Sequence, residues 1–229
     1  MAALSGALGY ARFFVPDAMR TPKAQRKVLD AAHAAIRLRA MRPLTADESD
    51  AERSGWCVLG EPLDTSMPAA RVFLDGYVNL GFRTDRWAIP GPLLRAKLRE
   101  AEAAHLARTG RERLGRAERA ELKDFVVREL RKKLVPSTRA VDLSWSLDEG
   151  VVRFFSHAAK TTAAMLDLFE KTFGFELVAE SPYTLAQRLV RADEDRGTWE
   201  ALEPTLLTRP HAESPPAPAA RGARARGGR

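Results

Sequence analysis

Between Arg139 and Ser156 the chain alternates with a period of two. Val141, Leu143, Trp145 and Leu147 take every second position, with Asp142, Ser144 and Ser146 between them. Asp148, Glu149 and Gly150 break the run, and the stretch from Val151 to Phe155 returns. Successive strand side chains point to opposite faces, so this pattern reads as a β-hairpin with one buried and one polar face. A lone hairpin is marginally stable in water. The rest of the chain must therefore supply more strands and a cover for the apolar face.

Local signals place those pieces. Residues 8–15 read as a first strand, and residues 23–41 follow a helical period through Val28, Ala31, Ala32, Ala35 and Ile36 until Pro43. An acidic loop, residues 45–55, precedes a short apolar strand at Trp56 to Gly60. Two β-rich runs split around Asp75-Gly76 predict a second hairpin. A long helix opens with proline in its first turn near Pro90 and stops at Gly110. A second helix is expected from Arg116 to Leu134, with Leu122, Phe125, Val126, Leu130 and Leu134 as its buried stripe. After the hairpin come a helix ending at Gly174, one more strand over residues 175–181 and a short last helix from Pro182. The order β-α-β-β-β-α-α-β-β-α-β predicts an α+β fold: a mostly antiparallel sheet, helices on one face and a projecting basic helical hairpin at about 90–135. Residues 1–207 are expected to form this domain. Residues 208–229, rich in Pro, Ala, Gly and Arg, have no large apolar side chain and are expected to be disordered.

The groups that usually announce catalysis are absent. The sequence has no phosphate-binding GxxxxGK[ST] loop, no GxGxxG and no GxSxG elbow. His33, His105, His157 and His211 are scattered, and Cys57 stands alone in an apolar run, so neither a zinc site nor an internal disulfide is expected. Asp142, Asp148, Glu149 and Asp167 are the one set of carboxylates to consider for a metal-dependent nuclease, although Asp148 and Glu149 also read as turn residues. The sequence calls for no cofactor. It has no apolar run long enough to span a bilayer and no cationic segment before its N-terminal apolar stretch, which together with the lone cysteine favours a cytoplasmic setting.

Charge is where the chain is informative. The net charge is +7 and the isoelectric point about 9.9, which suits a partner carrying phosphates. Thirteen basic residues between 94 and 133 face seven acidic ones, so almost all of the excess lies in the helical hairpin. Asp124 with Arg128 and Glu129 with Lys133 have the spacing of helical ion pairs. Arg108, Arg111, Arg113, Arg116 and Arg119 crowd the link between the two helices with only Glu112 and Glu118 beside them. With Lys123, Arg131, Lys132 and Lys133 they form the candidate DNA-binding set, since guanidinium groups grip phosphates in a bidentate manner. The Arg/Gly tail adds cations without partnered acids. Trp56, Trp87 and Trp145 fall in strands and read as core, so neither base stacking nor base-specific readout is expected. A protein-interaction module, its arginines reflecting genome composition, is the competing reading.

From about Ala34 to Pro182 the chain carries in order "RAMRPLT", Gly55-Trp56, "IPGPLLRAKLREAEAAHL", "ERAELKDFVVRELRKKLVP", "DLSWSLDEGVVRFFS", "KTTAAMLDLFEKTFG" and "ELVAESPY". In the order and spacing of these landmarks it resembles the RdgC family of bacterial recombination-associated proteins. The resemblance implies a non-enzymatic, nucleoid-associated homodimer that encircles double-stranded DNA without strong sequence preference and restrains RecA-driven recombination. Arg116, Arg119 and Lys123 occupy the family's basic "KxxEKxxLKD"-like region. Family members usually carry "LLPRAF" where this chain has "LVPSTR", and their sizeable C-terminal portion is replaced here by the Arg/Gly/Pro tail.

Overall fold

The computed structural model describes residues 9–19, 21–190 and 193–201. The chain divides into two compact units, residues 1–185 and 186–229. The Arg/Gly/Pro tail lies outside the described residues.

The first unit is built on a seven-stranded sheet in the order β2-β4-β5-β6-β1-β7, with β3 also paired to β4. Its strands are β1 (Ala11–Phe14), β2 (Glu52–Cys57), β3 (Phe73–Leu74), β4 (Tyr77–Arg86), β5 (Ser137–Ser146), β6 (Val151–Phe154) and β7 (Val178–Ala179). Every named pairing is antiparallel. The helices are α1 (Pro22–Leu38), the single turn α2 (Ala69–Val72), α3 (Gly91–Thr109), α4 (Arg116–Arg131), α5 (Ala159–Phe173) and α6 (Pro182–Leu189), which runs across the boundary into the second unit. The second unit's described residues also hold α7 (Asp193–Glu200). This is the α+β architecture expected from the sequence. Among the described residues no helix is long and apolar enough to cross a membrane.

The alternating hairpin forms the centre of the sheet. Leu143 and Trp145 on β5 stand beside Phe154 and Val152 on β6, and beside Leu80 and Val78 on β4. All six are buried and share the core with Trp56 and Phe82 of the sheet, Ala32 and Ile36 of α1 and Met165, Phe169 and Phe173 of α5. Trp145 meets Phe173 edge-on at 5.4 Å between ring centroids and Phe169 at 5.9 Å. Such tilted pairs add to the gain from area burial alone. Trp56 donates its indole N–H to Thr172 Oγ1 at 2.9 Å, so the polar edge of a fully buried ring is satisfied.

The turns follow from local chemistry. Leu74 pairs with Tyr77, leaving a two-residue loop of Asp75 (φ 49°) and Gly76 (φ 77°). Positive φ at both positions is what a hairpin turn matching strand twist requires. Gly55 serves close approach instead. A Cβ there would lie 2.6 Å from the Met41 Cα, where β2 runs beside the chain leaving α1.

Other details depart from the sequence expectation. The acidic stretch does not stay a loop up to Gly55: β2 starts at Glu52, opposite Arg86 on β4. The last strand shrinks to Val178 and Ala179. The non-core face of the sheet is polar yet largely covered, with Asp142, Ser146, Arg83 and Asp85 all buried. There Arg83 Nε donates to Asp85 Oδ1 at 2.8 Å, Thr138 Oγ1 donates to the same oxygen, and Arg83 Nη1 reaches the Pro62 carbonyl.

Candidate nucleic-acid interface

Strands β4 and β5 pair along their whole length, from Tyr77 opposite Ser146 to Arg86 opposite Ser137. The fifty residues that connect these strand ends hold the two basic helices, so the helical hairpin is an arm inserted at the end of the central strand pair. No residue of α3 is buried. Half-buried Leu94, Leu98, His105 and Leu106 mark the side of α3 turned to α4, whose Leu122, Val126 and Leu130 form a single row at i, i+4 and i+8.

That row is narrower than the sequence suggested. Phe125 was expected on the buried stripe but is 56% exposed. It sits one residue, about 100° of helical rotation, from Val126, and a two-helix arm has no third layer to cover it. Arg131 is corrected in the opposite sense. It was expected to face a phosphate backbone but is buried. Its Nη1 donates to the Glu48 carbonyl, and its guanidinium lies over the Trp87 ring at 5.8 Å. It belongs to the root of the arm and not to an outer surface.

The link between the helices is tied down at both ends. α3 stops on Gly110 (φ 66°), whose N–H returns to the Leu106 carbonyl at 2.9 Å. α4 is capped at Gly115, which donates its N–H to Glu118 Oε2 at 2.9 Å, while Arg111 pairs with the other Glu118 oxygen at 2.7 Å. The Gly115 N–H, and after it Arg111, hold the Glu118 carboxyl below its ordinary pKa. Glu118 therefore acts first as a helix cap.

Four of the seven acids are taken up in this way. Glu118 holds Arg111, Glu102 holds Arg119 across the helices at 3.1 Å, Glu100 holds Lys97 and Glu129 holds Lys132. The expected pair of Glu129 with Lys133 is replaced by the pair with Lys132, one residue earlier. Arg113, Arg116 and Lys123 make no ion pair among the described residues, and Arg108 touches only His105, at 3.4 Å.

The Arg119–Glu102 contact sets the two helices' flanks against each other. Arg116, Arg119 and Lys123 lie at i, i+3 and i+7 on α4, and Arg95, Arg99 and Glu102 at i, i+4 and i+7 on α3. One flank of the arm thus gathers Arg95, Arg99, Arg116, Arg119 and Lys123 around a single acid, with Arg108, Arg111 and Arg113 at the tip. Glu118 and Glu129 belong to the other flank of α4, as does Lys132, bound to Glu129. Lys133 lies past the end of α4, close enough to Glu100 to help lower its pKa. Sequence reasoning counted Arg95 and Arg99 in the charge excess but left them out of the site. Their helical spacing with Glu102 was the missed signal.

The remaining candidates do not converge. Among the described residues no group of three or more His, Cys, Asp or Glu could hold a metal ion. Asp142 is buried, Glu149 pairs with Arg153 and Asp167 with Lys171. His33 is bonded to the Met67 carbonyl, and His211 lies outside the described residues. Burial pushes the Cys57 thiol up to about 12, so it is neutral and unreactive at physiological pH. No protein-family model matches the chain, and no curated protein matches its sequence.

Proposed function

We propose that this protein binds double-stranded DNA through the basic flank and tip of its arm, without sequence preference and without breaking bonds. The observation that carries this reading is the sorting of charge by the arm's two sides. Arg95, Arg99, Arg116 and Lys123, which make no ion pair among the described residues, share one flank with Glu102 as its one acid, while Glu100, Glu118 and Glu129 are taken up by pairs and a cap elsewhere on the arm. Exposed pairs such as Arg119–Glu102, with Arg119 64% exposed, hold together by less than about 1 kcal/mol. A phosphate can displace such a carboxylate easily. The arm presents an array of backbone-gripping groups and a single exposed aromatic ring, Phe125, which suits contact with the sugar–phosphate rail over stacking on successive bases. The resemblance over residues 34–182 supports the same reading and extends it to a homodimer on the nucleoid that restrains RecA-driven recombination.

The test is a salt titration of duplex affinity. For a protein contacting Z phosphates, log K falls against log salt with a slope of about −0.9Z. Reversing Arg113, Arg116 and Lys123 to Glu is expected to weaken binding to unrelated duplex sequences equally, and to flatten that slope by roughly three units. Unchanged affinity in the triple variant would rule the arm out. A shallow slope for the unmodified protein would favour the protein-interaction module.

A further inference from the structure

A cleft of about 600 Å3 opens at the root of the arm. That volume lies within the range of small-ligand sites. Three cations line it, Arg86 from the end of β4, Arg139 from β5 and Lys160 from the first turn of α5, against a single acid, Glu52. Glu52 already accepts from Lys160 at 3.0 Å and has Arg86 at 4.0 Å. Arg139 has no hydrogen-bond or ion-pair partner among the described residues. The cluster therefore keeps an excess of two positive charges, which balances the roughly two negative charges of a phosphate monoester.

Trp87 forms part of the wall. One further feature points the same way. The start of α5 also faces the cleft: Ala158 offers no capping side chain, and Thr162 is the first residue to donate within the helix. The amides of Lys160 and Thr161, two residues that line the cleft, are thus left to an outside acceptor, and the helix dipole favours an anionic one. Phe82, Ile89 and Val141 add apolar lining beside the charges.

We propose that this cleft is a binding site for a nucleoside monophosphate group. The phosphate sits against Arg139, Arg86 and Lys160, and the sugar or base lies on the apolar lining. The group could arrive as a free nucleotide or as the phosphorylated end of a strand. The site does not depend on the arm's grip on duplex DNA.

Equilibrium binding to the full chain tests it, with dAMP, inorganic phosphate and a short single strand with or without a 5′-phosphate as probes. Saturable binding of dAMP is expected, weakened by about tenfold or more in Arg139→Ser and strengthened in Glu52→Gln, which removes the competing carboxylate. The Arg113/Arg116/Lys123 reversal should leave dAMP binding unchanged, which separates this site from the arm. A phosphorylated strand that binds tighter than both dAMP and its unphosphorylated twin assigns the site to strand ends. Equal binding of dAMP and the phosphorylated strand assigns it to free nucleotides. The proposal is overturned if no phosphate probe binds saturably, or if binding ignores both Arg139→Ser and Glu52→Gln.

Discussion

Arg83 and Arg131 show how a guanidinium is withdrawn from any outside partner. Arg83 is held by Asp85 on the same strand, with Thr138 completing the carboxylate's bonds. The Asp85 hydrogen bonds raise the Arg83 pKa above its ordinary value, so the charge persists at all working pH. Asp85→Asn would leave that charge buried beside a neutral amide, and an expected loss of about 3–5 kcal/mol should appear in urea unfolding. Arg131→Ala is expected to cost about 1–3 kcal/mol by orphaning the Glu48 carbonyl and uncovering Trp87. In the folded fraction it should leave duplex affinity where it was. A fall in affinity matching that of the Arg113/Arg116/Lys123 reversal would return Arg131 to the interface. A third prediction concerns the basic flank itself. Glu102→Gln removes its one acid, so duplex binding should tighten while the unfolding midpoint barely moves, as expected for an exposed pair.

At the scale of elements, the arm is a helical hairpin with a thin seam. It is held by one row of side chains and by the cap at Gly115, not by burial in the sheet. Glu118 is the pH-sensitive part of that cap. Its folded pKa is depressed below the ordinary 4.5, so its contribution is complete above the unfolded value. That contribution disappears as pH falls through the lower folded one. Amide protection factors at the start of α4, with intrinsic exchange rates divided out, should therefore fall on acidification below the ordinary 4.5, before the sheet responds. Glu118→Gln should show the same loss of protection at neutral pH. If exchange there stays as slow in the variant, Glu118 is not the cap.

For the whole molecule, stability rests on the central sheet and the aromatic cluster on its core face. Trp145→Ala is expected to cost about 3–5 kcal/mol, read as a lowered unfolding midpoint. The long β4–β5 pairing also decides where the arm stands, because Arg86 and Ser137 are opposite one another and fifty residues must leave and return at that point. The same strand ends place Arg86 and Arg139 beside the first turn of α5, which creates the cleft at the arm's root.

Much of this was legible in order along the chain. Period-two alternation located β5, Asp75-Gly76 located a turn, Gly110 and Gly174 ended their helices, and the charge excess singled out the arm. These features depend on neighbours within a few residues, where backbone geometry and side-chain spacing act directly. What the tertiary structure alone decided was which member of each local pattern meets a distant partner. Arg131 turned inward because Trp87 and the Glu48 carbonyl lie beneath it, and Phe125 stayed outside because nothing packs against that side of the arm. Glu52 joined a strand because Arg86 offered a pairing edge. Asp142 was buried on a face that alternation marked as polar. Each outcome was set by contacts between residues far apart in the chain, which short-range periodicity does not encode.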